Sequence, residues 1–133
     1  MKAEESPDVP VPERLQVLGV TLVTEWDTLA FLFQHKTSIS TAAQIARLVG
    51  YDKAEIGAAL QTLDGLRLIR RSRTSQGARI YEFCQPQEPG RHTCLVELMN
   101  LAQHRAGRLL LLKHLQRRRP GVRRGGDRGL RLA

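Results

Sequence analysis

Gly50 lies between two runs of helical periodicity, and that placement dictates the geometry of the middle of the chain. Upstream, Ile45, Leu48 and Val49 stand three to four residues apart, the buried face of a short helix. Ala46 offers only a methyl group where a second helix can cross closely. Gly50 accepts positive φ and ends that helix. Asp52 then supplies an N-cap oxygen, with Glu55 as its capping-box partner three residues on. The second helix buries Ile56, Ala59, Leu60 and Leu63. Two short helices must therefore meet at a tight glycine turn.

A hairpin comes next along the chain. Leu68-Ile69 opens a strand that continues through Arg70, Arg71, Ser72 and Arg73; Thr74 to Ala78 is a polar turn containing Gly77; Arg79-Ile80-Tyr81-Glu82-Phe83 returns. Helix, glycine turn, helix and hairpin make a helix-turn-helix running into a two-stranded wing. Residues 67–79 carry Arg67, Arg70, Arg71, Arg73 and Arg79 and no acid, which suits a surface laid against phosphates.

Residues 24–84 thereby resemble the winged helix-turn-helix of the MarR-like transcription regulators. The resemblance rests on Ala46, Gly50 and Ile56, then on Leu63, Leu68, Ile69 and Arg71 at the entry to the wing. It implies a second helix in the DNA major groove, a wing on the minor groove and flanking helices that form a dimer. The sequence departs from the family pattern at three places. Arg67 stands where glycine is common, which suggests that the helix breaks earlier, at Gly65. Gly77-Ala78-Arg79 keeps the wing arginine without the aspartate two before it. The exposed positions of the reading helix are Asp52, Lys53, Ala54, Gly57, Ala58, Gln61 and Thr62, of which only Lys53, Gln61 and Thr62 can donate to base edges. The expected DNA contacts are Thr41, Lys53, Ala54, Gly57, Gln61, Thr62, Arg70, Arg71, Arg73 and Arg79.

The flanks are read the same way. Residues 1–13 form an acidic, proline-containing arm. Residues 14–23 read as a short helix or an irregular apolar segment packed on the last helix. Thr24 caps the next helix, with Asp27 as its box partner, and Trp26, Phe31 and Phe33 pack in the core. Ser38-Ile39-Ser40 is a short strand beside the wing, and Ser40 or Thr41 caps the helix after it. The winged domain spans 14–91. Thr93 caps a helix running from about Cys94 to about Arg117, some 24 residues and about 36 Å long at 1.5 Å per residue. Leu95, Leu98, Ala102, Leu109 and Leu112 form its apolar seam and Met99 widens it, so the 92–117 helix is expected to make a homodimer. The fold class is mainly α (α+β): a winged helix-turn-helix with a small hairpin and a long C-terminal helix.

Charge is uneven. The chain of 133 residues has a net charge of +8. Lys113 and the arginines after it, less Asp127, hold +7 of that, so the rest of the chain is nearly neutral overall, with a local basic patch at its wing. The Arg/Gly-rich tail at 118–133 reads either as a non-specific nucleic-acid tether or as a solvated tail without a task. Cys84 and Cys94 give no disulfide framework, and with His92 and His104 they lack zinc-ligand spacing. No cofactor or metal is expected. Neither a phosphate-cradling glycine loop nor a nucleophile elbow is present, so the chain does not read as an enzyme. With no long apolar run it is expected to be cytoplasmic and nucleoid-associated, without a membrane partner. Two functions remain open. One is a dimeric DNA-binding regulator of double-stranded DNA; the other is a winged-helix protein-interaction module, favoured by the small residues Ala54, Gly57 and Ala58.

Overall fold

The computed structural model describes residues 10–35, 40–73 and 76–117. The arm up to residue 9, Ser38 and Ile39 of the short strand, Thr74 of the wing turn and the tail at 118–133 lie outside the described residues. Among the described residues, six helices and one hairpin succeed one another in the order α1 Val11–Leu18, α2 Val23–Gln34, α3 Ala42–Val49, α4 Lys53–Gly65, β1 Ile69–Arg73, β2 Arg79–Phe83, α5 Pro89–Ala102 and α6 Arg105–Leu112.

The helix α1 starts at Val11, inside the stretch expected to be an arm. Pro12 suits its first turn, where the missing N–H has no helical partner to lose. Val11, Leu15 and Leu18 bury one stripe against α5. An ion pair of 2.7 Å between Arg14 Nε and Glu97 Oε1 joins the two helices. Arg91 Nη2 of α5 donates to the Leu18 carbonyl at 3.0 Å, satisfying an end group of α1.

Central to the core is α2, with Trp26, Leu29 and Leu32 at 1% exposure or less. Its start differs from the expectation. Leu22 is the N-cap residue, and the buried Glu25 carboxylate accepts from the N–H groups of Thr21 at 3.0 Å and Leu22 at 3.2 Å. Thr24 is buried within the first turn instead of capping it, and its carbonyl accepts the Thr28 hydroxyl at 2.8 Å. Asp27 is released for other partners. Phe31 and Phe33 are half-buried rather than interior: Phe31 stacks on His35 at 4.4 Å, and Phe33 meets Phe83 edge-on at 5.2 Å.

The hairpin is antiparallel, with Arg70 opposite Glu82, Arg71 opposite Tyr81 and Arg73 opposite Arg79. Ser40 adds one bridge, exchanging backbone bonds with Tyr81 at 2.8 and 3.2 Å.

The long C-terminal helix is not formed as one piece. It breaks at Gln103-His104 into α5 and α6, which pack on each other. A straight helix would carry Leu111 and Leu115 away from the core; folding back buries them to 0% and 8%. The crossing is close enough that a Cβ on Gly107 would meet the Leu101 carbonyl oxygen and stand 2.9 Å from its carbon. The seam expected to pair two subunits is largely used inside one. Leu95, Leu98 and Met99 are 0%, 0% and 4% exposed, Ala102 and Leu112 are half-buried, and only Leu109, at 54%, faces outward. Beyond α6, Gln116 is pinned to the start of α2, accepting from Val23 N–H at 2.8 Å and donating to the Thr21 carbonyl at 2.9 Å.

Candidate nucleic-acid interface

The interface is assembled from α3 upward. Thr41 caps α3 in a full capping box: its Oγ1 accepts the Gln44 N–H at 3.2 Å, and Gln44 Oε1 accepts the Thr41 N–H at 2.9 Å. Ile45 and Ala46 are buried, but Leu48 is 66% exposed, against expectation. Using the Ala46 methyl as the crossing point turns the buried face toward Ala46 and Val49 and leaves Leu48 outside. Gly50 takes φ +93° and closes the helix, with Tyr51 N–H on the Ala46 carbonyl at 3.2 Å.

Asp52 caps α4 by accepting the Glu55 N–H at 2.8 Å; Glu55 enters that cap through its backbone. One face of α4 buries Ile56, Ala59, Leu60 and Leu63. A second face looks across to the wing. Lys53, Gly57, Gln61 and Asp64 line one wall of a cleft of about 590 Å³, Thr41 to Ala43 close one end, and Arg71, Arg73, Arg79 and Tyr81 form the other wall. A third face, outermost, carries the exposed Ala54, Ala58 and Gly65.

Strand alternation sorts the arginines. Arg71, Arg73 and Arg79 share the cleft face with Tyr81. Arg70 points the other way, where its Nε and Nη2 donate to Glu82 Oε2 at 2.9 and 2.7 Å. That cross-strand carboxylate raises the Arg70 pKa and holds its guanidinium on the back of the wing. The structure thus brings together Thr41, Lys53, Gly57, Gln61, Arg71, Arg73 and Arg79, and leaves Ala54, Thr62 and Arg70 off the cleft. Asp64 joins the site without having been expected there. It lies eleven residues after Lys53, three helical turns along the same face, with its Oδ2 4.0 Å from Arg71 Nε. Arg73 Nη1 donates to the Gly77 carbonyl at 3.1 Å, which sets the guanidinium over the turn. Four cations against one carboxylate leave the cleft positive. Arg73 and Arg79, directly opposed, repel each other until an anion lies nearby.

The end of α4 is unusual. Gly65 remains helical, and Arg67 adopts φ +64°, the one positive φ at a non-glycine residue among the described residues. Beneath the other end of α4, the Tyr51 hydroxyl donates to Asp27 Oδ2 at 2.7 Å. Burial first, and Asp27 second, push that hydroxyl up to about 12. Among the described residues there is no cluster that would hold a metal ion, and no helix is long and apolar enough to cross a membrane.

No protein-family model matches the chain, and no curated protein matches its sequence significantly. Solved structures do match in shape. A MarR-family transcriptional regulator from Silicibacter pomeroyi aligns with a TM-score of 0.52 at 14% identity, over 77% of this chain and 73% of that one. The S. aureus MepR–DNA complex aligns at 0.49 with 20% identity, over 78% and 87%. The element order, the hairpin after α4 and the first of these matches together establish the fold: a mainly α winged helix-turn-helix with a small β wing, of the kind found in a MarR-family regulator.

Proposed function

We propose that the chain is a DNA-binding transcription regulator rather than an enzyme. One observation carries the reading: α4 and the wing gather Lys53, Arg71, Arg73 and Arg79 on the walls of a single open cleft, although residues 1–112 taken together are nearly neutral. In this pose the wing arginines neutralise phosphates, Lys53 and Gln61 reach base edges, and the small outer face of Ala54 and Ala58 lets the groove floor approach closely. Most of the affinity is electrostatic and little of it is sequence choice. The likeness to a MarR-family regulator supports the same reading. Two copies associate through the C-terminal helices, where Leu109 of α6 is exposed and Leu112 of α6 and Ala102 at the end of α5 are half-buried. The protein-interaction reading keeps one supporting observation, the uncharged outer face of α4 at Ala54, Ala58 and Gly65.

Replacing Arg71, Arg73 and Arg79 together by alanine separates the two. The expected outcome is weaker duplex binding with the slope of log affinity against log salt reduced by about three, since each phosphate contact contributes about 0.9. A full-length triple variant that binds duplex DNA as the parent does would move the function to the outer face.

A further inference from the structure

Asp27 sits in α2 and holds two elements remote from each other in the chain. Tyr51 Oη, in the turn between α3 and α4, donates to its Oδ2 at 2.7 Å. Arg108 Nη2, in α6, donates to its Oδ1 at 3.1 Å. Each carboxylate oxygen has its own partner, and the Asp27 side chain keeps 17% of its surface exposed against 47% for Arg108. Tyr51 directly precedes Asp52, the cap of α4, so its hydroxyl fixes the first turn of that helix from beneath. None of Asp27, Tyr51 and Arg108 lines the cleft. The C-terminal segment is fastened to α2 a second time by the backbone bonds of Gln116 with Thr21 and Val23. Leu111 and Leu115, which lie between the two attachments in the chain, are buried.

We propose that Asp27 is a positioning residue for DNA reading: through it, the docking of α6 onto α2 sets the pose of α4. The reason is the chemistry of a largely desolvated carboxylate. With both partners in place its charge is balanced and its plane is fixed. Remove Arg108 and an undercompensated anion must turn toward water, which spoils the geometry of the Tyr51 bond. Lifting α6 and loosening the start of α4 are then one event, and the coupling is reciprocal. Couplings between sites run from about 5- to 150-fold, and the half-exposure of Arg108 puts this one at the low end.

This inference rests on the DNA-binding reading for its consequence, though not for its mechanics, and the test keeps the two apart. Amide hydrogen exchange is measured on the full chain for the parent, R108A, R108K and Y51F, beside duplex affinity across salt. R108A should speed exchange at Tyr51, Glu55 and Ile56 about fivefold while the β1–β2 ladder amides stay as they were. R108K should recover part of that. Y51F should speed exchange at Leu111 and Leu112 by a similar factor. Duplex affinity of R108A should fall about fivefold with its salt slope unchanged, because Arg108 meets no phosphate. Unchanged exchange at the α3–α4 turn in R108A would overturn the proposal. So would a uniform rise along the whole chain, which would make Arg108 a general stabiliser, or a salt slope lower by about one, which would make it a phosphate contact. If the parent binds no duplex while the exchange pattern appears, the coupling stands and the DNA reading falls.

Discussion

Helices α3 and α4 end in the same motif built on residues of opposite aptitude. At the end of α3, Gly50 takes φ +93° and Tyr51 N–H reaches back to the Ala46 carbonyl at 3.2 Å. At the end of α4, Arg67 takes φ +64° while Leu68 N–H reaches the Leu63 carbonyl at 3.1 Å and Arg67 N–H the Asp64 carbonyl at 3.0 Å. Glycine enters the left-handed region without cost, whereas an L side chain gives up about 1–2 kcal/mol there. The second motif survives because of what flanks it. Leu68 is completely buried, and Leu66 packs on Gly19, where an added Cβ would stand 2.6 Å from the Leu66 Cδ2. So the turn that enters the reading helix is set locally, and the turn that leaves it is imposed by tertiary packing.

The split between locally set and packing-imposed geometry can be pressed at several positions. The largest expected effect is in the packed layer. Leu98→Ala should cost about 2–5 kcal/mol in chemical denaturation, as a cavity in the monomer's own core, whereas Leu109→Ala should change monomer stability by less than about 0.5 kcal/mol. A loss at Leu109 as large as that at Leu98 would mean that Leu109 is covered as well, by a second subunit. Gly107→Ala ranks second. Its methyl would press on the rigid Leu101 backbone, so about 3 kcal/mol and a fall in melting temperature on the order of 10 °C are expected. A fully stable Gly107→Ala chain would show that the α5–α6 crossing has room for a side chain. Smallest, and closest to the contrast itself, is a pair of opposite sign. Arg67→Gly should stabilise by about 1 kcal/mol and Gly50→Ala should destabilise by about as much, both read from denaturation midpoints. If Arg67→Gly destabilises, the arginine has a role that offsets its strain.

Legibility in the sequence divides along the same line. Where a local rule decides, the residues speak alone, as with Thr41 as a cap and Gly50 before Asp52; strand alternation, which sends Arg71 and Arg73 one way and Arg70 the other, is as local a rule, yet Arg70 is expected among the DNA contacts when it is not applied. Where packing decides, they mislead. The leucines from Leu95 to Leu112 keep a helical period across the α5–α6 break because both helices bury leucine on the same core. The warning is Gly107, a glycine inside a long apolar helix, which marks close backbone approach. Leu48 has the spacing of a buried residue, yet Ala46 takes the crossing. Asp27 has the spacing of a cap partner because it stands three after Thr24, but Glu25 fills that role and leaves Asp27 to bind Tyr51 and Arg108. No local pattern connects positions 27, 51 and 108. Asp64 enters the cleft by helical phase with Lys53, a signal present in the sequence and simply one turn further along than Gln61.

The most direct test of the account is duplex-DNA binding by fluorescence anisotropy across salt, comparing the full chain with a chain ending at Arg117. The shorter chain keeps every described contact and loses the arginines at 118–133. If the cleft reads DNA, the shorter chain binds with a slope of log affinity against log salt near −3, about 0.9 for each of its three wing arginines. If binding disappears with the tail, the cleft is not a DNA site and the central claim is wrong.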